Sequence, residues 1–157
     1  FCEGDETAVT CLMRLAEAMG ANAARITPAG KVIYHAAAVM ACNYLVTLMD
    51  AAARLAQQAG LDRQTWLSAV EPIIRATVEN ISTTGAEKAL TGPVARGDIQ
   101  TIRRHLDALA GADEGLRRLY AACGRQTVEL ALRAGKISAE VAAELTEMFR
   151  RAAPGRT

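Results

Sequence analysis

The sequence is poor in aromatic residues, with one Trp, three Tyr and two Phe in 157 residues. Strands favour aromatic and β-branched side chains, whereas the Ala and Leu that are plentiful here favour helices. An excess of one charge is also lacking, because 18 Lys and Arg are balanced by 17 Asp and Glu. This balance argues against binding to the phosphate backbone of a nucleic acid. We therefore expect a helical protein with no nucleic acid partner.

Motifs that bind metals, cofactors or covalent intermediates are lacking too. The four cysteines include no C-x-x-C pair and no His lies at zinc-ligand spacing, so we predict no metal site and no disulfide framework. The chain has no G-x-G-x-x-G, G-x-x-x-x-G-K, G-x-S-x-G or H-E-x-x-H motif. We expect no cofactor-binding residues, and no activity, in this chain alone. Unpaired thiols favour a cytoplasmic location.

The sequence begins with Phe1 and shows no basic region followed by an apolar stretch, so no signal peptide is predicted. We expect the missing part of the protein to lie upstream. Within residues 1–157 no linker is long enough to divide the chain, which predicts a single domain.

Apolar periodicity predicts an all-α bundle of six or seven helices. Helix starts are predicted at Asp5, Thr27, Asp62, Asp98, Asp113 and Ser138. Pro72 is expected to kink or restart the helix that contains it. Residues 23–26 are either one edge strand or an extended connection.

The longest predicted helix starts at Thr27 and Pro28 and meets no breaker before Gly60, which gives about 45 Å at 1.5 Å per residue. Residues 32–49 are apolar nearly all round and must be surrounded by protein or lipid. Polar residues and several small alanines within this run argue against a membrane span. We expect a helix that is buried at the centre of the bundle, with no membrane contact.

Five polar residues share one side of this helix, within an arc of roughly 160° at about 100° per residue. This polar stripe consists of Lys31, His35, Asn43, Thr47 and Asp50. Lys31 and His35 are candidate catalytic residues, because either side chain can donate a proton or a hydrogen bond. Asn43 and Thr47 are candidate substrate ligands. The alternative is that Asn43 and Thr47 are satisfied core groups and Lys31 is solvated.

The most distinctive local sequence is residues 90–98, which contain two glycines and a proline and predict a shaped loop. Asp98 is expected to cap the following helix. Arg96 is a candidate substrate ligand, because its planar guanidinium suits a carboxylate or phosphate. An ordinary surface charge explains Arg96 equally well. His105, on the following helix, is expected to be a packing or surface residue.

A set of blocks along nearly the whole chain resembles one family. The blocks are Lys31, residues 34–38, residues 43–45, Asn80, Gly85, residues 89–93, residues 96–98, and His105 with Leu106. They resemble the C-terminal helical domain of unknown function, numbered 2520, that follows a Rossmann domain in NAD(P)-binding proteins. The resemblance implies a fold like the C-terminal domain of 6-phosphogluconate dehydrogenase, and kinship with ketopantoate reductase and pyrroline-5-carboxylate reductase.

The resemblance implies the substrate-side and dimerisation domain of an NAD(P)-dependent oxidoreductase, with NADP or NAD bound mainly by an upstream Rossmann domain. It also implies a homodimer and a small-molecule substrate, with Asn80 as a further substrate ligand. In several related enzymes a Lys and an Asn one turn apart on the long helix serve the substrate. Here Lys31 and His35 are one turn apart. The alternative function is a stand-alone helical interaction or scaffold module.

Overall fold

The computed structural model describes residues 1–153, which form seven α-helices and no β-strand. The predicted all-α class and number of helices are therefore confirmed. The chain separates into two compact units, the first spanning Phe1–Arg63 and the second starting at Gln64. The single domain over residues 1–157 stays a prediction.

The first unit begins with an extended segment and helix α1, Glu6–Ala18. The Asp5 carboxylate accepts a hydrogen bond from the Ala8 amide at 3.0 Å, so the predicted cap is confirmed. Cys2, before α1, and Arg25, after it, form an isolated parallel bridge. In this bridge the Cys2 amide donates to the Ala24 carbonyl at 3.0 Å. Residues 23–26 are thus an extended connection with one bridge.

Helix α2 is continuous over Gly30–Gln58, 29 residues. Its start lies two residues beyond Pro28, because the preceding turn is closed by a tighter bond from the Gly30 amide to the Thr27 carbonyl at 2.9 Å. The Thr27 hydroxyl also accepts from the Gly30 amide at 3.1 Å. The predicted long helix is therefore confirmed with a shifted first residue.

Helix α2 is largely uncovered by the other residues of the first unit. No residue between 32 and 49 is buried, and Val32, Ile33 and Val46 expose 70–74% of their surface. Burial begins only near its C-terminal end, at Ala53 and Ala56. The prediction of a helix buried at the centre of the bundle is therefore wrong for the first unit, whose other residues cover too little of its apolar surface.

The second unit contains five helices: α3 Arg63–Thr84, α4 Ala86–Ala89, α5 Ile99–Ala108, α6 Glu114–Arg133 and α7 Ala139–Ala152. A 3₁₀ turn, Leu109–Gly111, follows α5. The side chains of Asp98, Asp113 and Ser138 cap α5, α6 and α7, as their positions predicted. The core is formed by Val94, Ile102, Ala121, Val128, Ala131, Ala142, Leu145 and Phe149.

Pro72 lies inside α3, which continues through it from Arg63 to Thr84. The continuous helix rules out the restart, and the alternative, a kink at Pro72, stays a prediction. A proline removes one backbone hydrogen bond, and the remaining bonds of a 22-residue helix hold the backbone on both sides. In the last turns, hydroxyl groups such as that of Thr77 donate to carbonyls four residues earlier.

The loop of residues 90–98 is fixed to the second unit's core, so the prediction of a shaped loop is confirmed. Val94 is buried, and the Lys136 ammonium donates to the Leu90 carbonyl at 2.6 Å. Gly97 has φ 64°, and a Cβ there would lie 3.2 Å from Val141 Cγ1. Backbone conformation and a close neighbour both favour glycine at this position.

Candidate functional site

The six predicted site residues are distributed over both units, and all six are exposed. Four lie on α2: Lys31, His35, Asn43 and Thr47. Asn80 lies on α3, and Arg96 lies in the loop of residues 90–98. Helix α2 therefore carries the polar stripe, while the other two candidates belong to the second unit.

A π-helical turn, Val39–Asn43, interrupts α2 between the two halves of the polar stripe. The Tyr44 amide donates to the Val39 carbonyl five residues earlier, which is the hydrogen bond that defines this turn. Regular α-helix precedes it over Gly30–Ala38 and follows it over Tyr44–Gln58. Short π turns of this kind are frequent at functional sites.

The π turn changes which side chains share a face. It adds about one residue to one turn. Each later side chain is therefore rotated back around the helix axis by roughly 100°, relative to its direction in a regular α-helix. Thr47 and Asp50 then return toward the direction of Lys31 and His35. The polar stripe narrows from an arc of roughly 160° to one of roughly 60° by this rotation. The sequence prediction assumed a regular α-helix, and this assumption is wrong at the π turn. With the π turn, the same five residues lie in a narrower arc.

At the start of α2, the Lys31 ammonium pairs with the Glu3 carboxylate at 2.5 Å. The other Glu3 oxygen, Oε2, is buried without a hydrogen-bond partner among the described residues. Next to this pair, the rings of Phe1 and Tyr34 lie 4.1 Å apart. The extended N-terminal segment thus packs along the first turns of α2 and orients the Lys31 side chain.

His35 lies one turn after Lys31, and its imidazole is exposed with no hydrogen bond or ion pair to the described residues. An imidazole can both donate and accept a hydrogen bond, and the His35 side chain is exposed to solvent. A held ammonium beside an accessible imidazole is an arrangement suited to donating hydrogen bonds to an oxygen atom and to moving a proton.

The later residues of the stripe are partly engaged. The Thr47 hydroxyl donates to the Asn43 carbonyl at 3.3 Å, along its own helix. The Asp50 carboxylate forms an ion pair with Arg63. The Asn43 amide is exposed and has no side-chain hydrogen bond to the described part of the chain. His35 and Asn43 are therefore the stripe residues whose side chains have no partner among the described residues, whereas Lys31 is paired with Glu3.

The two candidates in the second unit have different surroundings. The Asn80 carbonyl accepts from the Thr84 hydroxyl at 2.8 Å, while its side-chain amide faces solvent. Arg96 forms no ion pair or hydrogen bond through its guanidinium within residues 1–153. Hydrogen bonds from the Thr101 hydroxyl and amide lower the pKa of Asp98, and the positive charge of Arg96 adds a smaller effect. Asp98 is therefore a helix cap that Arg96 supports.

Two contacts were not signalled by the sequence. Glu3 pairs with Lys31 across 28 positions, and no spacing rule connects a lone Glu in an extended segment to a distant helix. His105 Nδ1 lies 2.8 Å from the Tyr120 hydroxyl, and Tyr120 in turn lies against Phe149. Burial raises the pKa of Tyr120. His105 is exposed and contacts Tyr120, so the prediction of a packing or surface residue is confirmed.

Residues 1–153 contain no group of three or more His, Cys, Asp or Glu arranged to hold a metal ion. By length and composition, helix α2 is apolar enough to cross a membrane. The same test is passed by a helix that packs in a soluble protein, so these properties do not by themselves indicate a span.

The fold and the site define an all-α protein whose longest helix carries a polar stripe beside an exposed apolar surface. The chain belongs to the family described as domain of unknown function (DUF2520), which matches residues 1–127. The matched range contains all six predicted site residues. Comparison with curated proteins and with solved structures gives no significant match.

Proposed function

We propose that this chain is the substrate-side and dimerisation domain of an NAD(P)-dependent oxidoreductase. The observation that carries the proposal is α2, which combines an exposed apolar surface with a polar stripe. Eight large apolar side chains of α2 are exposed: Val32, Ile33, Tyr34, Met40, Tyr44, Leu45, Val46 and Leu48. The resemblance to domains that follow a Rossmann domain supplies the oxidoreductase part.

A second copy of the chain is the partner that best accounts for the apolar surface. An exposed helix with this many large apolar side chains is uncommon on a monomer and marks an interaction site. In a symmetric dimer, α2 and its neighbours pack against their copies over more than about 1,600 Å². Small residues such as Ala37 and Ala41 permit close approach of two helices.

The polar stripe faces a substrate cleft in this proposal. His35 transfers a proton, the Lys31 ammonium held by Glu3 donates a hydrogen bond to a substrate oxygen, and Asn43 orients a carbonyl or amide. Thr47 is a further proposed substrate ligand on α2, and Asn80 and Arg96 are separate proposed substrate ligands in the second unit. The substrate is a small molecule.

The residues of this chain do not fit the pyrophosphate of a dinucleotide. Residues 1–153 contain no glycine-rich turn between a strand and a helix. We therefore assign NADP or NAD to an upstream Rossmann domain of the full-length protein, in the cytoplasm. No catalytic step within this chain is derived through the dinucleotide.

Calorimetric titration of NADP and NAD tests the proposal on two proteins, the 157-residue chain and a version extended upstream through the next domain. We expect micromolar affinity from the extended protein and weak or no binding from the chain alone. Micromolar affinity of the chain alone contradicts the assignment of the cofactor. An upstream reading frame without a strand, a Gly-rich turn and a helix contradicts the oxidoreductase function.

The second candidate is a stand-alone helical interaction module, and the same exposed apolar residues of α2 favour it. It predicts capture of a different protein instead of self-association. A third possibility, insertion of α2 in a membrane, predicts that the purified chain requires detergent. We expect the chain to remain soluble without it.

A further inference from the structure

The second unit contains a cavity of about 170 Å³ at one end of helices α5, α6 and α7. It is lined by Leu106, Leu109, Ala110, Arg117, Arg151 and Ala152. None of the candidate residues of the proposed substrate site is among them. The cavity combines apolar walls with two guanidinium groups, and this combination is characteristic of a small ligand site.

The Arg117 guanidinium is incompletely used by the protein. Its Nη1 donates to the Ala110 carbonyl at 3.4 Å, while its Nε is buried and has no hydrogen-bond partner among the described residues. A buried donor without a partner loses hydration and gains nothing in return. Since Nε is buried, a ligand in the cavity reaches the guanidinium through its Nη groups, which donate to carboxylates.

The second arginine adds positive charge at the same place. Arg151 Nε donates to Glu147 at 2.7 Å, and Arg150 donates to the same carboxylate at 2.6 and 2.8 Å. One negative carboxylate therefore compensates two positive guanidinium groups only in part. With Arg117 as a third, this end of the second unit favours an anion.

We propose that this cavity is a binding site for a small organic carboxylate with a short apolar tail. The carboxylate accepts from the Nη groups of Arg117, and the tail packs against Leu106 and Leu109. The volume lies below the roughly 300–1,000 Å³ of sites for drug-sized ligands, which favours a short acid over a nucleotide. This inference is independent of the proposed function.

Nuclear magnetic resonance of the arginine Nε–Hε groups tests the proposal on the 157-residue chain. The probes are butyrate, its neutral analogue butyramide and inorganic phosphate. We expect butyrate to shift the Arg117 Nε–Hε signal saturably in the millimolar range, and butyramide to leave it unchanged. A linear shift without saturation, an equal response to butyramide, or saturation by phosphate with none by butyrate overturns the proposal.

Arg117→Lys keeps the charge but removes the fork, so we expect it to weaken butyrate binding about tenfold or more, followed through the amides of α5 and α6. Arg133→Lys, on the same helix and outside the cavity, is the matched control and should bind as the wild type does. If Arg117→Lys does not fold, Arg151→Lys replaces it, and we expect this variant to lose less butyrate affinity. Unchanged binding in the folded variant overturns the site.

Discussion

At the scale of single residues, Gly124 shows how closely α6 and α7 approach. A Cβ built at Gly124 would lie 2.4 Å from Phe149 Cε1 and 2.5 Å from Phe149 Cζ. Phe149 is 1% exposed and also contacts the Tyr120 ring, so it has no free space into which to move. The position therefore requires glycine because of packing, although glycine lowers the stability of a helix interior.

Gly124→Ala should lower the free energy of unfolding by about 1–3 kcal/mol, because overpacking outweighs the gain in helix propensity. Chemical denaturation measures the change. The same substitution in a Phe149→Leu background should cost less, since the clash is with the ring. An equal cost in both backgrounds would mean that the ring is not the cause.

Glu147 connects the stability of α7 to pH. Hydrogen bonds from Arg150 and Arg151 lower the pKa of Glu147 from 4.5 to about 2. A lowered pKa in the folded state stabilises the protein above pH 4.5, and this contribution is lost as the pH falls toward about 2. The side chains are exposed, so water screens the pairs and the effect is small.

Thermal denaturation between neutral pH and pH 2 checks this linkage. The melting temperature of the wild type should fall more steeply with acidification than that of Glu147→Gln. Glu79→Gln removes a carboxylate with no side-chain partner among the described residues. Its melting temperature should fall with pH as steeply as that of the wild type. Identical slopes for all three proteins would show that these hydrogen bonds do not form in solution.

At the scale of elements, α2 and α3 depart from regular helices in different ways. The π turn of α2 stays hydrogen-bonded through the Tyr44 amide and rotates the later half of the polar stripe. Pro72 in α3 leaves the helix continuous but lacks an amide to donate. The π turn brings polar side chains together. Pro72 costs α3 a backbone hydrogen bond, and no contact of the described residues compensates for it.

Pro72→Ala should therefore raise the free energy of unfolding by about 1–3 kcal/mol, because it restores a helical hydrogen bond and removes a clash. Pro72 is exposed, so little packing is lost. Pro93→Ala, in the loop of residues 90–98, restores no helical bond and should not stabilise the chain. Destabilisation by Pro72→Ala would indicate that the proline shapes α3 for a contact.

The sequence predicted the features that depend on local chemistry. The caps at Asp5, Asp98 and Ser138 follow from side-chain oxygens that accept amide hydrogens within three residues. The π turn was not predictable from periodicity, because one extra residue in a run that is apolar all round leaves the pattern almost unchanged. The pairing of Glu3 with Lys31 was also not predictable, since it depends on the path of the chain.

The same limit applies to the cavity in the second unit. Arg117 and Arg151 lie on different helices. In the sequence, nothing distinguishes either arginine from an ordinary surface charge. Only the packing of α5, α6 and α7 places both beside Leu106 and Leu109. Tertiary structure was therefore needed to find this site.

At the scale of the whole molecule, the central claim is that α2 joins two copies of the chain and presents its polar stripe to a substrate. The two properties are separable by substitution. His35→Ala should abolish or strongly reduce activity of the full-length protein without changing its melting temperature. A fully active His35→Ala protein, measured once a metabolite screen has supplied a substrate, would remove His35 from the mechanism.

Light scattering on the purified 157-residue chain, at tens of micromolar and without detergent, tests the central claim most directly. We predict twice the mass of one chain for the wild type and for the polar control Gln57→Glu. Ala41→Glu, which places a carboxylate on the exposed apolar surface of α2, should give the mass of one chain. A monomeric wild type, or a dimer that Ala41→Glu leaves intact, would contradict the account.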